Sequence, residues 1–440
     1  INRAVTAARK AFESGPWPKM TPSQRGRLLW KVAELIEQHA DELAQLETLD
    51  NGKPIKYSKG GDVPLTADHF RYFAGWATKI EGDTIPVSIP NMFTYSLREP
   101  LGVVGQIIPW NFPLQMASWK LAPALACGNT VILKPAEQTP LTALRLGELI
   151  CEAGFPDGVV NIVPGFGETA GAALAAHPDV DKIAFTGSTE VGKKILQASA
   201  GNLKKVTLEL GGKSPNIIFP DADMKYAVRG ALNAIFFNQG QVCTAGSRLF
   251  VHASVYDQVV SGLTDAASKM KLGQGIDPAT ELGPVVSQEQ LERVTGYIEI
   301  GRREGATPTT GGERATGDLA QGYFVQPTVF DQVRDDMTIA REEIFGPVVV
   351  AMPFEDIEEV AARANRSIYG LAAGVWTSDI KKAHKMVSLL KAGVIWVNTY
   401  NQFDAAAPFG GYKQSGYGRE MGHAVLDAYT QVKTAWINLR

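Results

Sequence analysis

Cysteine is scarce in this sequence, since only Cys127, Cys151 and Cys243 occur among 440 residues. So few cysteines exclude a disulfide framework, and no C-x-x-C or H-E-x-x-H pattern offers a metal site. We therefore expect a protein of a reducing compartment, the cytoplasm, with no metal ion. The chain opens at "INRAVTAARKAF" without an initiator methionine. An earlier segment, which could have carried a targeting peptide, is therefore expected before it.

An excess of one charge and long apolar runs are also missing. The net charge is −3, and the Lys and Arg residues are scattered rather than clustered. A nucleic-acid surface normally shows as a basic excess. No apolar run reaches the roughly 18 to 20 residues that a membrane span requires. The sequence therefore predicts a water-soluble protein with neither a nucleic acid nor a membrane as partner.

Strand and helix patterns alternate between residues 103 and 210. Short runs rich in β-branched residues are separated by helical segments, and they stand at "VVGQII" (103–108), "TVIL" (130–133), "VVNIV" (159–163), "KIAF" (182–185) and "VTLEL" (206–210). This order is typical of βαβ units and predicts a doubly wound parallel sheet. A second alternating block, from 216 to 398, predicts another α/β domain. The helix predicted over 141–153 should have Thr139 as its cap.

Two stretches, 84–99 and 430–440, alternate apolar and polar residues like half-exposed strands. Both lie outside the alternating strand and helix patterns. Exposed strand edges readily pair with another chain. A contact with a second subunit is the simpler explanation, and a local flap on the same chain is the alternative.

The stretch "FTGSTEVGKK" (185–194) nearly matches a phosphate-binding P-loop. Gly187, Gly192 and Lys193 are in place, but Lys194 occupies the position of the hydroxyl that holds Mg²⁺. A nucleoside triphosphatase is therefore a weak alternative. The backbone of this turn, at the start of a predicted helix, could still meet a phosphate, although turn geometry alone would also explain the glycines.

Cys243 differs from the other two cysteines in its surroundings. Cys127 and Cys151 lie in apolar helical patterns, where cysteine usually packs as a small hydrophobe. Cys243 lies in "FFNQGQVCTAGSR", a polar, glycine-bearing loop between a predicted helix and a predicted strand. Such a partly exposed position suits a nucleophile. No histidine stands nearby in sequence to activate it.

Glu209 and Asn111 are the other candidates for chemistry. In the strand "VTLEL", Leu208 and Leu210 share one face and leave Glu209 on the other, near the carboxyl edge where parallel sheets place their sites. The position suits a general base, although an ordinary surface ion pair is equally open. Asn111, in "IIPWNFPLQ", could cap the following helix or donate to an oxyanion.

Taken together, the motifs resemble the aldehyde dehydrogenase superfamily, and within it the NAD-linked class 1 and 2 type. They occur in the family's order across nearly the full chain, as "PWNFP", "LKPAEQTP", "FTGSTEVG", "LELGGKSP", "GQVCTAGSR", "EEIFGPV" and "PFGGYKQSG".

The resemblance implies a chemistry for the three candidates. Cys243 would add to the aldehyde carbon, and Asn111 with the backbone N–H of Cys243 would form the oxyanion hole. After hydride transfer to the nicotinamide, Glu209 would activate the water that hydrolyses the thioester. The product would be a carboxylic acid. An acyl-CoA-forming enzyme and a catalytically silent member of the same fold are the rival interpretations.

The resemblance also implies a cofactor site and a substrate tunnel. The cofactor would be NAD rather than NADP, because Glu137 would accept from ribose hydroxyls and repel a 2′-phosphate. The residues implied for NAD are Trp110, Lys134, Glu137, Gly187, Ser188, Gly192, Glu343 and Phe345. Those implied for an apolar tunnel, for which core packing is the alternative, are Phe112, Met116, Trp119, Phe237, Phe403 and Phe409.

The same resemblance implies three functional regions. They are an NAD-binding domain of residues 1–80 and 100–211, a catalytic domain of residues 212–411, and a small antiparallel β oligomerisation segment of residues 81–99 and 412–440. The family's oligomerisation flap implies a homodimer or homotetramer, and a small-molecule aldehyde would be the substrate.

Overall fold

The computed structural model describes residues 1–440 and contains two large sheets surrounded by helices. The α-helices are Asn2–Glu13, Pro22–Gln38, Ala40–Asn51, Ile55–Tyr57, Val63–Trp76, Pro113–Ala126, Leu141–Glu152, Ala172–Ala176, Thr189–Ala198, Met224–Phe236, Tyr256–Ser268, Gln288–Arg303, Thr338–Arg341, Ile357–Asn365, Ile380–Leu389 and Leu426–Tyr429. Short π-helical turns cover Ser58–Asp62 and Gly167–Gly171. Turns of 3₁₀-helix cover Trp17–Lys19, Ser199–Asn202, Phe237–Gly240, Ala253–Val255, Gly317–Leu319 and His423–Val425.

The six-stranded sheet is parallel except at one edge. Its strands are, in spatial order, Gly416–Tyr417, Lys205–Glu209, Lys182–Thr186, Val103–Ile107, Thr130–Lys134 and Val160–Ile162. Every residue of the two strands at 103–107 and 130–134 is buried, as expected for a parallel sheet covered by helices on both faces. The doubly wound sheet predicted from the sequence is confirmed, with strand ends within two residues of the predicted ones.

The seven-stranded sheet is built from the second alternating block. Its order is Thr307–Thr310, Thr328–Asp331, Val348–Phe354, Arg248–His252, Pro215–Ile218, Ala372–Trp376 and Val394–Val397. All neighbours are parallel except the first pair. A two-stranded ladder, Tyr369–Gly370 with Tyr412–Lys413, stands beside it.

The three-stranded antiparallel sheet joins the two outlying stretches. The strands Met92–Pro100 and Thr430–Asn438 pair along nine residues each, and Thr84–Ile85 adds to the other side of the first. The two stretches therefore form a flap on one chain, which was the alternative explanation for their pattern. One edge of Thr430–Asn438 has no neighbouring strand. Before this strand begins, Tyr412–Lys413 pairs in the two-stranded ladder and Gly416–Tyr417 joins the six-stranded sheet.

Local capping explains where several helices begin. Thr21 and Gln24 form a reciprocal capping box at the start of Pro22–Gln38. Thr139, in contrast, does not cap the helix Leu141–Glu152, so that prediction was wrong. Its hydroxyl donates to the carbonyl of Trp110, 3.2 Å away, and the Asp50 carboxylate accepts from the N–H of Leu141 at 2.9 Å instead.

Candidate active site

A cavity of about 820 Å³ lies where the two large sheets meet. On one side it is lined by loops that follow strands of the six-stranded sheet, at 109–112, 187–190 and 210–211. On the other side it is lined by loops that precede strands of the seven-stranded sheet, at 242–244 and 343–345. The carboxyl ends of parallel strands are the usual place for ligand sites in open α/β sheets. All three candidate catalytic residues line this one cavity.

The loop that carries Cys243 is held from several sides. Tyr400 donates its hydroxyl to the carbonyl of Thr244 at 2.8 Å, and the hydroxyl of Thr244 donates to Asn401 at 3.1 Å. The backbone of Gly212 approaches so closely that a Cβ there would lie 2.4 Å from the carbonyl oxygen of Cys243. The thiol therefore sits on a loop with little freedom to move.

Asn111 faces the Cys243 loop and does not cap the following helix. Its Nδ2 donates to the carbonyl of Gln241 at 2.9 Å, which uses one of its two N–H bonds. Its Oδ1 is buried without a partner. The helix Pro113–Ala126 begins at Phe112 with no side-chain cap. The amide therefore does not cap this helix, and donation to an oxyanion stays a prediction.

Glu209 is buried on the side of its strand that faces the cavity. Leu208 and Leu210 pack into an apolar cluster on the opposite side, as the alternation predicts. The side chain is 4% exposed, and neither carboxylate oxygen has a hydrogen-bond partner. It does not form a surface ion pair. Burial, followed by the nearby Glu420 carboxylate, raises its pKa well above the ordinary value for glutamate.

The groups that act most on the thiol of Cys243 are carboxylates and backbone N–H groups. Burial, together with the carboxylates of Glu343 and Glu209, raises its pKa to about 12. The backbone N–H groups of Thr244 and of Cys243 itself oppose this effect only in part. Because the thiolate is the nucleophile, these surroundings oppose the activation of Cys243.

Two parts of the six-stranded sheet edge have donor sets that suit a dinucleotide. Lys134 Nζ lies 2.9 Å from Glu137 Oε2, and this pair offers a cation and an acceptor to ribose hydroxyls. At the start of the helix Thr189–Ala198, Ser188 caps with its Oγ, which accepts from Val191 at 3.2 Å. A helix N-terminus of this kind favours a phosphate. The residues at these two places therefore suit a bound dinucleotide.

Three further predicted cofactor residues lie together in the cavity, with Trp110 on the side of the six-stranded sheet and Glu343 and Phe345 on the opposite side. Glu343 Oε1 accepts from the N–H of Gly212 at 2.8 Å, and burial raises its pKa to about 7. Phe345 has a left-handed backbone with φ of 62°. Its ring lies 5.2 Å from that of Trp110, edge to face. Trp110, Gly187, Ser188, Glu343 and Phe345 all line the cavity.

Gly192 does not line the cavity. It is buried in its helix, where a Cβ would lie 2.6 Å from the side chain of Leu210. Its lack of a side chain lets the helix approach the sheet, which is a packing role. Lys134 and Glu137 also lie outside the cavity lining, at the neighbouring strand end.

The six predicted tunnel residues line one end of the cavity. Trp119 packs against Phe409 at 5.2 Å and Phe403 at 6.0 Å between ring centroids. Phe112 stacks on Phe237 at 5.8 Å on the facing wall. These rings pack on each other and also border open space. The six residues therefore belong both to the packed core and to the wall of the cavity.

Sequence reasoning missed polar residues that support the site. Gln290 donates to the carbonyl of Phe345 at 2.7 Å, and Arg293 donates to the carbonyls of Glu343 and Ile344. Their spacing of three on the helix Gln288–Arg303 was a possible signal, because it places both on one face. The buried charged residues Glu47, Lys53 and Asp62, which lie behind the site, gave no such signal, since they are distant in sequence from the site residues.

The model of the aldehyde dehydrogenase family matches residues 1–435. Human mitochondrial aldehyde dehydrogenase is 56% identical over 442 residues, which cover 100% of this chain and 84% of that protein. A Bacillus subtilis (strain 168) relative named DhaS is 60% identical over 439 residues, covering 100% of this chain and 88% of the relative. A solved NAD⁺ complex of a Bacillus cereus aldehyde dehydrogenase is 59% identical and superposes with a TM-score of 0.98, covering 100% of this chain and 89% of that chain. The resemblance seen in the sequence is thereby confirmed, and the chain belongs to the aldehyde dehydrogenase family.

Proposed function

We propose that this protein oxidises an aldehyde to a carboxylic acid with NAD, through a thioester on Cys243. One observation carries the proposal: Cys243, Asn111 and Glu209 come from three distant segments and line a single cavity. That cavity also includes Gly187 and Ser188, at the helix N-terminus that suits a phosphate of the dinucleotide. A thiol, an amide donor and a carboxylate base are the groups that this chemistry requires.

The first step is the addition of Cys243 to the aldehyde carbon. The thiol gives its proton to solvent water in the cavity, and its sulfur bonds to the carbonyl carbon while the carbonyl oxygen becomes an oxyanion. The second N–H of Asn111 Nδ2 and the backbone N–H of Cys243 donate to that oxygen. One such donor typically accelerates a reaction of this class by about 10²–10³-fold.

The second step leaves a thioester on Cys243. NAD supplies the acceptor for the hydride that departs from the former aldehyde carbon. The chain's own groups fix the geometry of this step: Trp110 and Phe345 form an aromatic wall, and Glu343 is anchored by Gly212. As the oxyanion collapses to a carbonyl, Asn111 continues to hold the oxygen.

The third step is hydrolysis, and it assigns Glu209 its role. Glu209 takes a proton from water, the water oxygen bonds to the thioester carbon, and the bond to sulfur breaks. The carboxylic acid leaves and the sulfur regains a proton. A carboxylate with a raised pKa is a stronger base than an ordinary one, which suits this task near neutral pH.

The proposed specificity follows from the two ends of the site. Glu137 accepts from ribose hydroxyls and repels a 2′-phosphate, which favours NAD over NADP. The aromatic tunnel favours aliphatic or arylalkyl aldehydes, because its wall rings bury apolar surface.

We also propose the functional regions given above: residues 1–80 and 100–211 for NAD, 212–411 for catalysis, and 81–99 with 412–440 for assembly. The three-stranded sheet exposes Phe93, Leu97 and Trp436 at 42%, 42% and 55%. A free strand edge beside exposed apolar side chains supports a homodimer or homotetramer. Light scattering of the purified protein measures this directly, and a monomer would contradict it.

The cellular location is proposed to be the cytoplasm. All three cysteines are free, which suits a reducing compartment. No helix of the structure has the length and apolarity that a membrane crossing needs. Microscopy of the full-length tagged protein in its own cells tests the location.

The experiment that tests the function is NADH formation from NAD and a panel of aliphatic and arylalkyl aldehydes, with and without CoA. We expect turnover without CoA and none from Cys243→Ala. Turnover only with CoA would favour the acyl-CoA-forming rival. Absence of turnover in both conditions, with NAD bound, would favour a silent member of the fold.

A further inference from the structure

Asn51 anchors the backbone that carries Asn111. It is the last residue of the helix Ala40–Asn51 and is 1% exposed. Its Nδ2 donates to the carbonyl of Trp110 at 2.9 Å and to that of Asn111 at 3.3 Å. The carbonyl of Asn111 also accepts from Asn238 Nδ2, 2.9 Å away, which belongs to the segment before Cys243. Two side-chain amides therefore bind this carbonyl.

A buried ion cluster, formed by Glu47, Lys53 and Asp62, lies directly behind the same segment. Lys53 Nζ is 2.7 Å from Asp62 Oδ2 and 3.2 Å from Glu47 Oε1. None of the three side chains is more than 2% exposed. The ammonium also lies 4.2 Å from the centroid of the Phe112 ring.

The remaining oxygens of this ion cluster bind the start of the next helix. Glu47 Oε2 accepts from the N–H of Leu114 at 3.3 Å, and Asp62 Oδ1 accepts from Gln115 Nε2 at 3.0 Å. The helix Pro113–Ala126 has no cap from its own flanking residues, so Glu47 supplies an acceptor at its positive end.

These contacts converge on one short segment. Asn51 and the ion cluster reach the carbonyls of 110 and 111, the ring of 112, the N–H of 114 and the side chain of 115. Burying a lysine with two carboxylates is costly compared with apolar packing. Asn51 and the ion cluster instead fix the orientation of the backbone and side chains that they bind. A catalytic hydrogen-bond donor needs a fixed orientation.

We propose that Asn51, supported by the ion cluster, is a positioning residue for the oxyanion donor Asn111. The proposal rests on the oxyanion role of Asn111 given above. One N–H of Asn111 Nδ2 is committed to the carbonyl of Gln241, so the direction of the second follows from the backbone position. Asn51 holds that backbone, and its loss lets the second N–H turn away from the developing oxyanion.

A double-mutant cycle tests this mechanism. Asn51→Ala is made in the native protein and in Asn111→Ala, and the rate of NADH formation in the first turnover is measured with saturating NAD. We expect Asn51→Ala to slow this rate about 10- to 100-fold in the native background. In the Asn111→Ala background it should change the rate less than about 2-fold, because the donor it positions is already gone.

Asn129 provides the matched control. It is also fully buried and also binds backbone, accepting from Leu101 and Gly102 and donating to Ala124 and Tyr429, but away from the cavity. Asn129→Ala should lower the melting temperature, and should change the first-turnover rate by the same small factor in both backgrounds. Because Asn51 also donates to the carbonyl of Trp110, the NAD affinity of each variant is measured by fluorescence quenching, and the rates are compared at NAD concentrations that saturate that variant.

The outcomes separate the two proposals. An equal loss of rate from Asn51→Ala in both backgrounds would overturn the positioning role while leaving the role of Asn111 intact. A normal rate in Asn111→Ala would overturn both. If Asn51→Ala does not fold, Asn51→Ser keeps a shorter donor at the same place, and the same cycle applies to it.

Discussion

Two glutamates at the carboxyl edge of the six-stranded sheet show opposite electrostatic behaviour. Glu137 follows the strand Thr130–Lys134 by three residues, and Glu209 ends the strand Lys205–Glu209. The Glu137 side chain is 32% exposed and bonds Lys134, whereas Glu209 is buried with neither oxygen bonded. Burial is the largest single influence and raises the pKa of Glu137, but the bond and charge of Lys134 together with the backbone N–H groups of Glu137 and Gly167 outweigh it, so the net pKa is lowered. The pKa of Glu209 is raised.

The difference teaches that residue type and sheet position do not determine the role of a carboxylate. A lowered pKa keeps Glu137 charged and able to accept from hydroxyl groups at any pH near neutrality. A raised pKa makes Glu209 a stronger proton acceptor than an ordinary carboxylate. The carboxyl edge of the six-stranded sheet thereby offers Glu137 as a charged hydrogen-bond acceptor and Glu209 as a base. The two carboxylates differ in their burial and in their hydrogen-bond partners.

Exchanging each carboxylate for its amide should produce the largest contrast. Glu209→Gln removes the base, so steady-state turnover should fall about 10²–10⁴-fold while one rapid equivalent of NADH still forms. Glu137→Gln should leave the steady-state rate near its native value and weaken NAD binding. Stopped-flow absorbance of NADH measures both phases. Loss of the rapid phase in Glu209→Gln would mean that Glu209 acts before the thioester forms.

The pH dependence of the two phases should differ as well. Glu209 accepts a proton only when it is ionised, so steady-state turnover should fall as the pH drops through its raised pKa. That midpoint should lie well above the ordinary range for glutamate. Glu137 should contribute no midpoint to NAD binding near neutrality, since its pKa is lowered. Glu343, whose pKa burial raises to about 7, is replaced by Gln so that it does not titrate in the same range. A pH series of steady-state rates and, in Glu343→Gln, of NAD affinity checks this, and coincident midpoints would remove the contrast.

A smaller effect is expected from the charge of Glu137 alone. Glu137→Ser removes the repulsion of a 2′-phosphate and one charged acceptor for the ribose. The preference for NAD over NADP, taken as the ratio of kcat/KM values, should narrow roughly tenfold, allowing for the partial exposure of the site. An unchanged ratio would contradict the assignment of Glu137 to the ribose.

The sequence predicted the strand that carries Glu209 and the face on which it lies, because period-two alternation is a local property. It did not predict the cap of the helix Leu141–Glu152, since Asp50 reaches Leu141 from 91 residues away. The partners of the outlying strands were ambiguous for the same reason. An exposed alternating pattern predicts a strand but does not specify which edge it joins.

The raised pKa of Glu209 could not be predicted from its strand, because one of its causes lies in the C-terminal segment. The Glu420 carboxylate raises that pKa, and the Lys120 ammonium, 2.6 Å from Glu420, lowers it. Neighbours so far apart in sequence are brought together only by the fold. Because Glu420 raises the pKa of Glu209 and Lys120 lowers it, replacing each residue should move that pKa in opposite directions, and the direction of each shift is the test.

Glu420→Gln should shift the midpoint of steady-state turnover to lower pH by about one unit, because a negative charge near Glu209 is lost. Lys120→Met should shift it to higher pH, because the lost charge is positive. Each change also leaves a buried charge without its partner and should cost about 3–5 kcal/mol of stability. Melting temperature should therefore fall in both variants, whereas the midpoints move apart. Midpoints that moved in the same direction would show that loosened packing, rather than the two charges, controls the proton affinity of Glu209.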